Sequence, residues 1–166
     1  MNDGLSIWLS EARDNQEVSK QYLHEIKYNK ISDFDTTLQD THRQVFDKVD
    51  CLQCANCCRT IPAMITDEDI RRISKHLKIS SKSFKKRHVL DDTYSGMTLN
   101  GVPCRFLNSD NTCAIYEVRP DACRRYPHTD EKEYPNRIQL NLQNTLVCPA
   151  AYLVLKQLYQ SMTDQR

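Results

Sequence analysis

A small α+β fold, mostly helical with a short β hairpin or sheet, is the architecture this sequence predicts, and three observations carry it. The 166 residues fit one domain, because compact domains run from roughly 50 to 250 residues. Several segments repeat apolar residues at three- and four-residue spacing, the helical period, while only two short stretches carry strand or hairpin signals. Leu, Ile, Val and Phe make up 22% of the chain, just above the roughly 20% below which chains tend to stay disordered. The formal net charge of +1 supplies none of the self-repulsion of a disordered chain. The core is therefore lean, and something besides apolar burial has to help hold it.

The elements follow in chain order. Residues 14–29 place Val18, Tyr22, Leu23 and Ile26 on one side of a polar helix. After Ser32 and Asp33, Leu38, His42, Val45, Phe46 and Val49 define a second helix that leads into the first cysteines. Thr66 reads as an N-cap, with Asp67, Glu68 and Asp69 in the first turn where the helix dipole favours acids, and Ile70, Ile73 and Leu77 form the buried stripe. Ser80 or Ser81 starts a short helix running to about Leu90. Asn100-Gly101 is a tight-turn pair that predicts a hairpin between Met97–Leu99 and Val102. Ile138, Leu140 and Leu142 alternate with polar residues, which predicts a half-buried strand. Pro149 suits the first turn of a last helix whose Leu153, Leu155, Leu158, Tyr159 and Met162 pack inward. The division expected is a helical N-terminal extension over 1–50, a cysteine-rich domain over 51–148 and a C-terminal helix over 149–166.

Composition excludes several functions. The three glycines, Gly4, Gly96 and Gly101, build no dinucleotide-binding GxGxxG, no Walker A loop and no GxSxG nucleophile elbow. His24-Glu25 starts an HExxH, but Tyr28 stands where the second histidine belongs. The longest uncharged stretch, 138–155, is too polar for lipid, so no membrane partner is expected. The start of the chain shows an acid at Asp3 and no basic, then apolar, leader pattern, so a cytoplasmic location is expected.

The chemistry lies in the cysteines. Cys51, Cys54, Cys57 and Cys58 form CxxCxxCC, and Cys104, Cys113, Cys123 and Cys148 follow. In a reducing compartment paired thiols rarely persist as disulfides, so metal ligation is the expectation for all eight. Buried free cysteine explains one or two scattered thiols but not four within eight residues. On a continuous helix the four would share about 120° of arc, and in a loop CxxC spacing converges thiolates on one ion. Arg59, Arg105 and Arg124-Arg125 each follow a cysteine, and nearby guanidinium groups favour thiolates.

The run CxxCxxCC, then Pro103-Cys104-Arg-Phe-Leu107, Cys113-Ala-Ile-Tyr116, Arg119-Pro120-Asp-Ala-Cys123-Arg-Arg-Tyr-Pro127 and a late Cys148, resembles the YkgJ-type cysteine-cluster family. The resemblance covers about Cys51 to Cys148 and implies a zinc- or iron-chelating domain. Ala55 departs from it, standing where the family often has glycine. The family in turn resembles the cysteine-rich part of flagellin lysine methylases, but no methyl-donor motif is present here.

The expected fold is thus organised around cysteine-ligated metal, zinc or iron. Eight thiols divide into two four-thiolate zinc sites, or into one [4Fe–4S] cluster plus one zinc. His128 is a further candidate ligand. Function classes follow: a metal-binding protein with metal at least structural, an iron–sulfur redox or metal-dependent catalytic protein, and a zinc-stabilised interaction module. For the last, Arg71, Lys75, Lys78, Lys82 and Lys85 make a basic stripe, but no interleaved aromatics supply base stacking and nucleic acid is disfavoured.

Overall fold

The computed structural model describes residues 3–28, 33–93 and 96–164, with side chains from residue 7 onward. Ser32, expected to precede the second helix, lies outside the described residues. Among the described residues the fold is mostly helical with one two-stranded antiparallel sheet, in agreement with the α+β expectation. Its contacts gather into two compact units, Met1–Asp50 with Pro127–Arg166, and Cys51–Tyr126.

The first unit contains α1 (Asp3–Asp14), α2 (Gln16–Tyr28), α3 (Phe34–Phe46), α9 (Ile138–Thr145) and α10 (Pro149–Asp164), the last beginning at its proline. Leu23 and Ile26 of α2, Leu38 of α3 and Leu155, Leu158 and Met162 of α10 close one core around the fully buried Tyr134. Tyr22 and Tyr159 stack across it at 3.6 Å. Trp8, Ala12 and Tyr152 form a smaller cluster.

The strand expected at Ile138–Leu142 is helix α9 instead. Five alternating residues contain the i, i+4 pair Ile138 and Leu142, and both pack on the core while Leu140 is 39% exposed. The deciding residues are polar. Asn141 donates to the Tyr134 carbonyl at 2.6 Å, and Asn144 to the Pro127 carbonyl at 2.9 Å. These buried amides want partners on a helical face, and helix supplies that face where a strand would split them.

The second unit holds the cysteine-rich segment. Its elements are α4 (Cys51–Cys54), α5 (Asn56–Thr60), α6 (Asp67–His76), α7 (Ser81–His88), β1 (Val89–Asp92), β2 (Gly96–Leu99) and α8 (Asp121–Arg125). Ile65, Ile70, Ile73, Phe84, Leu99, Phe106 and Ile115 make its core, with Cys104 and Cys113 packed against it. Thr66 caps α6 through a reciprocal capping box with Asp69, and the Ser80 side chain caps α7.

The hairpin is displaced from its expected place. β2 pairs with the upstream β1, Val89 opposite Leu99 and Asp92 opposite Gly96, and not with Val102. Asn100-Gly101 leaves the hairpin rather than closing it: the Asn100 N–H donates to the His88 carbonyl at 2.9 Å and its side chain to the Arg87 carbonyl. Gly101 has φ +83°, the left-handed region that favours glycine, so the pair does make a turn, but the partner of β2 lies upstream of it. For the same reason α7 stops at His88, since Val89 and Leu90 enter β1.

Candidate metal centre

Seven of the eight cysteines fall in the Cys51–Tyr126 unit, and Cys148 lies in the other. No disulfide joins any of them. The CxxCxxCC segment is two short helices rather than one. It breaks at Ala55, which takes a left-handed φ of 47° and is only 4% exposed. Cys51 and Cys54 bound α4, with Cys51 exposed and Cys54 half-buried, while Cys57 and Cys58 sit half-buried on α5.

A side-chain clasp fixes this bent segment. Arg59 donates to the Cys54 carbonyl at 2.9 Å and to the Asn111 side-chain oxygen. Asn111, at φ 71°, donates in turn to the Gln53 carbonyl at 3.0 Å. Arg59 therefore ties the first cysteines to the loop before Cys113, and its charge also favours the thiolate forms of Cys58 and Cys54, as its place in the sequence predicts.

Cys104 and the loop before Cys113 return to the neighbourhood of this segment. The Cys104 N–H donates to the Cys58 carbonyl at 2.7 Å. Leu107 and Cys113 form an antiparallel bridge, and the Ala114 N–H donates to the Phe106 carbonyl at 2.8 Å, so the Cys104 and Cys113 segments lie side by side. Cys123 sits on α8, whose approach is braced from α6. Asp69, 1% exposed, accepts from the Thr66 N–H and hydroxyl, from the Asp121 N–H at 3.1 Å and from Arg72 at 2.5 Å. Arg72 also donates to the Arg119 carbonyl at 3.0 Å. Burial alone would raise the Asp69 carboxyl, but the hydrogen bonds from Thr66, Asp121 and Arg72 prevail and hold it below the usual carboxylate range. This brace was not legible in the sequence beyond Asp69 as a first-turn acid.

The thiols act on one another. The Cys57 thiol donates to the Cys58 sulfur and, against the cost of burial and with the help of Arg59, draws Cys58 down to about 7. Burial raises Cys54, Cys104 and Cys113. Cys123 is pushed up to about 12, first by burial and then by the charges of Cys58, Cys104 and Cys113. Half-buried thiols that oppose one another's ionisation are a donor set suited to a soft or borderline cation, which would favour their thiolate forms. Among the described residues, no three His, Cys, Asp or Glu side chains are grouped at metal-holding distance.

Cys148 is 8% exposed and immediately precedes α10. His128, at φ 65°, has its Nδ1 2.8 Å from Glu131, and Arg137 pairs with the same carboxylate. No described helix is long and apolar enough to cross a membrane.

A bent cysteine run tied by its backbone to the Cys104 segment and by the Arg59–Asn111 clasp to the loop before Cys113 defines the class as a cysteine-cluster chelating domain. The family model "CxxCxxCC: Putative zinc- or iron-chelating domain" matches residues 50–149, more than half of the chain, and the chain belongs to that family. No curated protein and no solved structure matches it.

Proposed function

We propose that this chain is an intracellular, cytoplasmic metal-binding protein in which Cys51, Cys54, Cys57, Cys58, Cys104, Cys113, Cys123 and Cys148 supply the ligands and the metal serves at least structure. The observation that carries the reading is that seven of the eight cysteines lie in the Cys51–Tyr126 unit, with the Cys104 N–H donating to the Cys58 carbonyl at 2.7 Å, in a chain whose residues 50–149 match the chelating family. We take 51–148 as the chelating domain, 1–50 as a helical extension and 149–166 as a terminal helix packing on it. Bound zinc would lock the loops between the cysteines. Structural zinc contributes on the order of 10 kcal/mol, comparable to the stability of a whole domain.

The test is elemental analysis and an absorption spectrum on anaerobically isolated protein, followed by chelation. Stoichiometric zinc, with loss of native circular dichroism and a lowered Tm on chelation, is the expected result. Native circular dichroism and an unchanged Tm in demonstrably metal-free protein would overturn the structural role. The iron–sulfur reading rests on the helix break at Ala55, which leaves Cys51, Cys54 and Cys57 on a bent segment like a ferredoxin ligand loop. A visible band bleached by dithionite in the same sample decides for it.

A further inference from the structure

The metal chemistry leaves one strongly charged surface of the cysteine-rich unit without a role. We infer that the exposed face of α6, α7 and the turn joining them docks the phosphate backbone of double-stranded nucleic acid without reading its bases. The inference is independent of the chelation reading.

Residues 71–88 hold eight of the chain's 23 lysines and arginines and no acid. The linear stripe does not stay on one helix. α6 ends in a Schellman turn: the Ile79 N–H donates to the Ser74 carbonyl at 3.1 Å, the Lys78 N–H donates to the Lys75 carbonyl at 3.2 Å, and Lys78 takes a left-handed φ of 55°. Ser80 then caps α7, so the second helix starts at once. Lys85 of α7 reaches back to Asp67 at the start of α6, at 2.7 Å, which sets the two helices side by side. Ile70, Ile73 and Phe84 turn the apolar sides of both into the core. Arg71, Lys75, Lys78, Lys82, Lys86 and Arg87 are left exposed. Arg72 is committed to Asp69 and Asp121, and Lys85 to Asp67, but these six form no ion pair among the described residues.

The composition of the face selects its partner. Arg71 and Lys75 stand one turn apart on α6, as Lys82 and Lys86 do on α7, about 6 Å along each axis. Packed helices lie about 8–10 Å apart, so the charges form a two-dimensional array rather than a line. Four of the six bases are lysines, and Phe84, the one aromatic ring in the stretch, is fully buried. Protein interfaces centre on aromatic, Met and Arg anchors and are depleted in lysine, so an acidic protein partner would find no anchor here. Phosphate contact needs only cations, and it positions a duplex without carrying sequence information. The missing aromatics, which argue against nucleic acid in the sequence, exclude base stacking and with it single-strand binding. They do not bear on a duplex backbone.

Fluorescence anisotropy of a labelled DNA duplex titrated with the full chain tests this over a range of salt. Neutralising about five phosphates predicts a slope of about −4.5 in log affinity against log salt, or about 500-fold weaker binding at 200 mM than at 50 mM. Two duplexes of unrelated sequence should bind within about threefold of each other. Lys75→Gln/Lys82→Gln/Lys86→Gln, at exposed helical positions, should flatten the slope by about three and weaken binding at least about tenfold at 50 mM salt. The control Lys20→Gln/Lys27→Gln/Lys48→Gln removes the same charge from exposed sites in the other unit and should leave both values unchanged, with circular dichroism of each variant matching the wild type. Binding weaker than about 100 μM at 50 mM salt overturns the inference, as does an equal loss in the control variant or an unchanged slope in the first. Polyglutamate that competes as well as duplex at equal charge overturns it in favour of an acidic protein partner, and tighter binding of the single strand overturns the choice of duplex.

Discussion

Asp69 is the residue whose loss most directly tests how the cysteine-rich unit is held. Asp69→Ala removes an acceptor for four donors at once: the Thr66 N–H and hydroxyl, the Asp121 N–H and the Arg72 guanidinium. Bonds to a charged group contribute about 1.5–3 kcal/mol each, but they do not add. The Arg72 side chain is 28% exposed and keeps the Arg119 carbonyl and Asp121 as partners, so its contribution is largely recovered. The capping box contributes about 1 kcal/mol, and the stranded Asp121 and Thr66 N–H groups cost about 1–2 kcal/mol together. The expected loss is about 3 kcal/mol for Asp69→Ala. For Asp69→Asn, which keeps a neutral acceptor of the same shape, it is about 1–2 kcal/mol. Urea unfolding followed by circular dichroism reads both. The pH dependence has a definite sign. The folded carboxyl lies below its unfolded value, so its stabilisation is complete above the unfolded value near 4 and is lost as pH falls through the folded one. The gap between wild type and Asp69→Asn therefore closes in acid. A loss below about 1 kcal/mol for Asp69→Ala, or a gap that widens in acid, refutes the brace.

Other expectations follow from the same geometry. Arg59→Ala, which opens the clasp at an exposed site, should cost about 1 kcal/mol in urea unfolding, and Asn111→Ala somewhat more because alanine must also hold φ 71°. At Ala55, glycine relieves left-handed strain but forfeits a buried methyl group, so Ala55→Gly should stay within about 1 kcal/mol of wild type. Ala55→Val, branched at the same φ, should lose about 2 kcal/mol or more in the same assay. Burial lowers the His42 imidazole against the opposing charge of Asp130, so the folded protein disfavours its protonation. Stability should fall as pH drops below about 6.5, and thermal melts of His42→Gln should show a shallower fall.

How much of this was legible depends on the range of the interaction involved. The Thr66 cap, the α6 stripe and Pro149 at the start of α10 are local, each decided within a turn of helix, and the sequence shows them directly. The failures lie where local patterns are degenerate. Ile138–Leu142 satisfies period two and period 3.6 alike, and only the distant carbonyls of Tyr134 and Pro127 decide between them. Asn100-Gly101 marks a turn correctly, but the partner of β2 is chosen by pairing across residues 89–99. At the site, the cysteines themselves were legible from their density. Ala55 was marked as the family's glycine position, and it takes the backbone conformation glycine would favour. The Asp69–Asp121 brace and the Cys58–Cys104 bond join residues 52 and 46 positions apart, and no spacing rule announces such pairs.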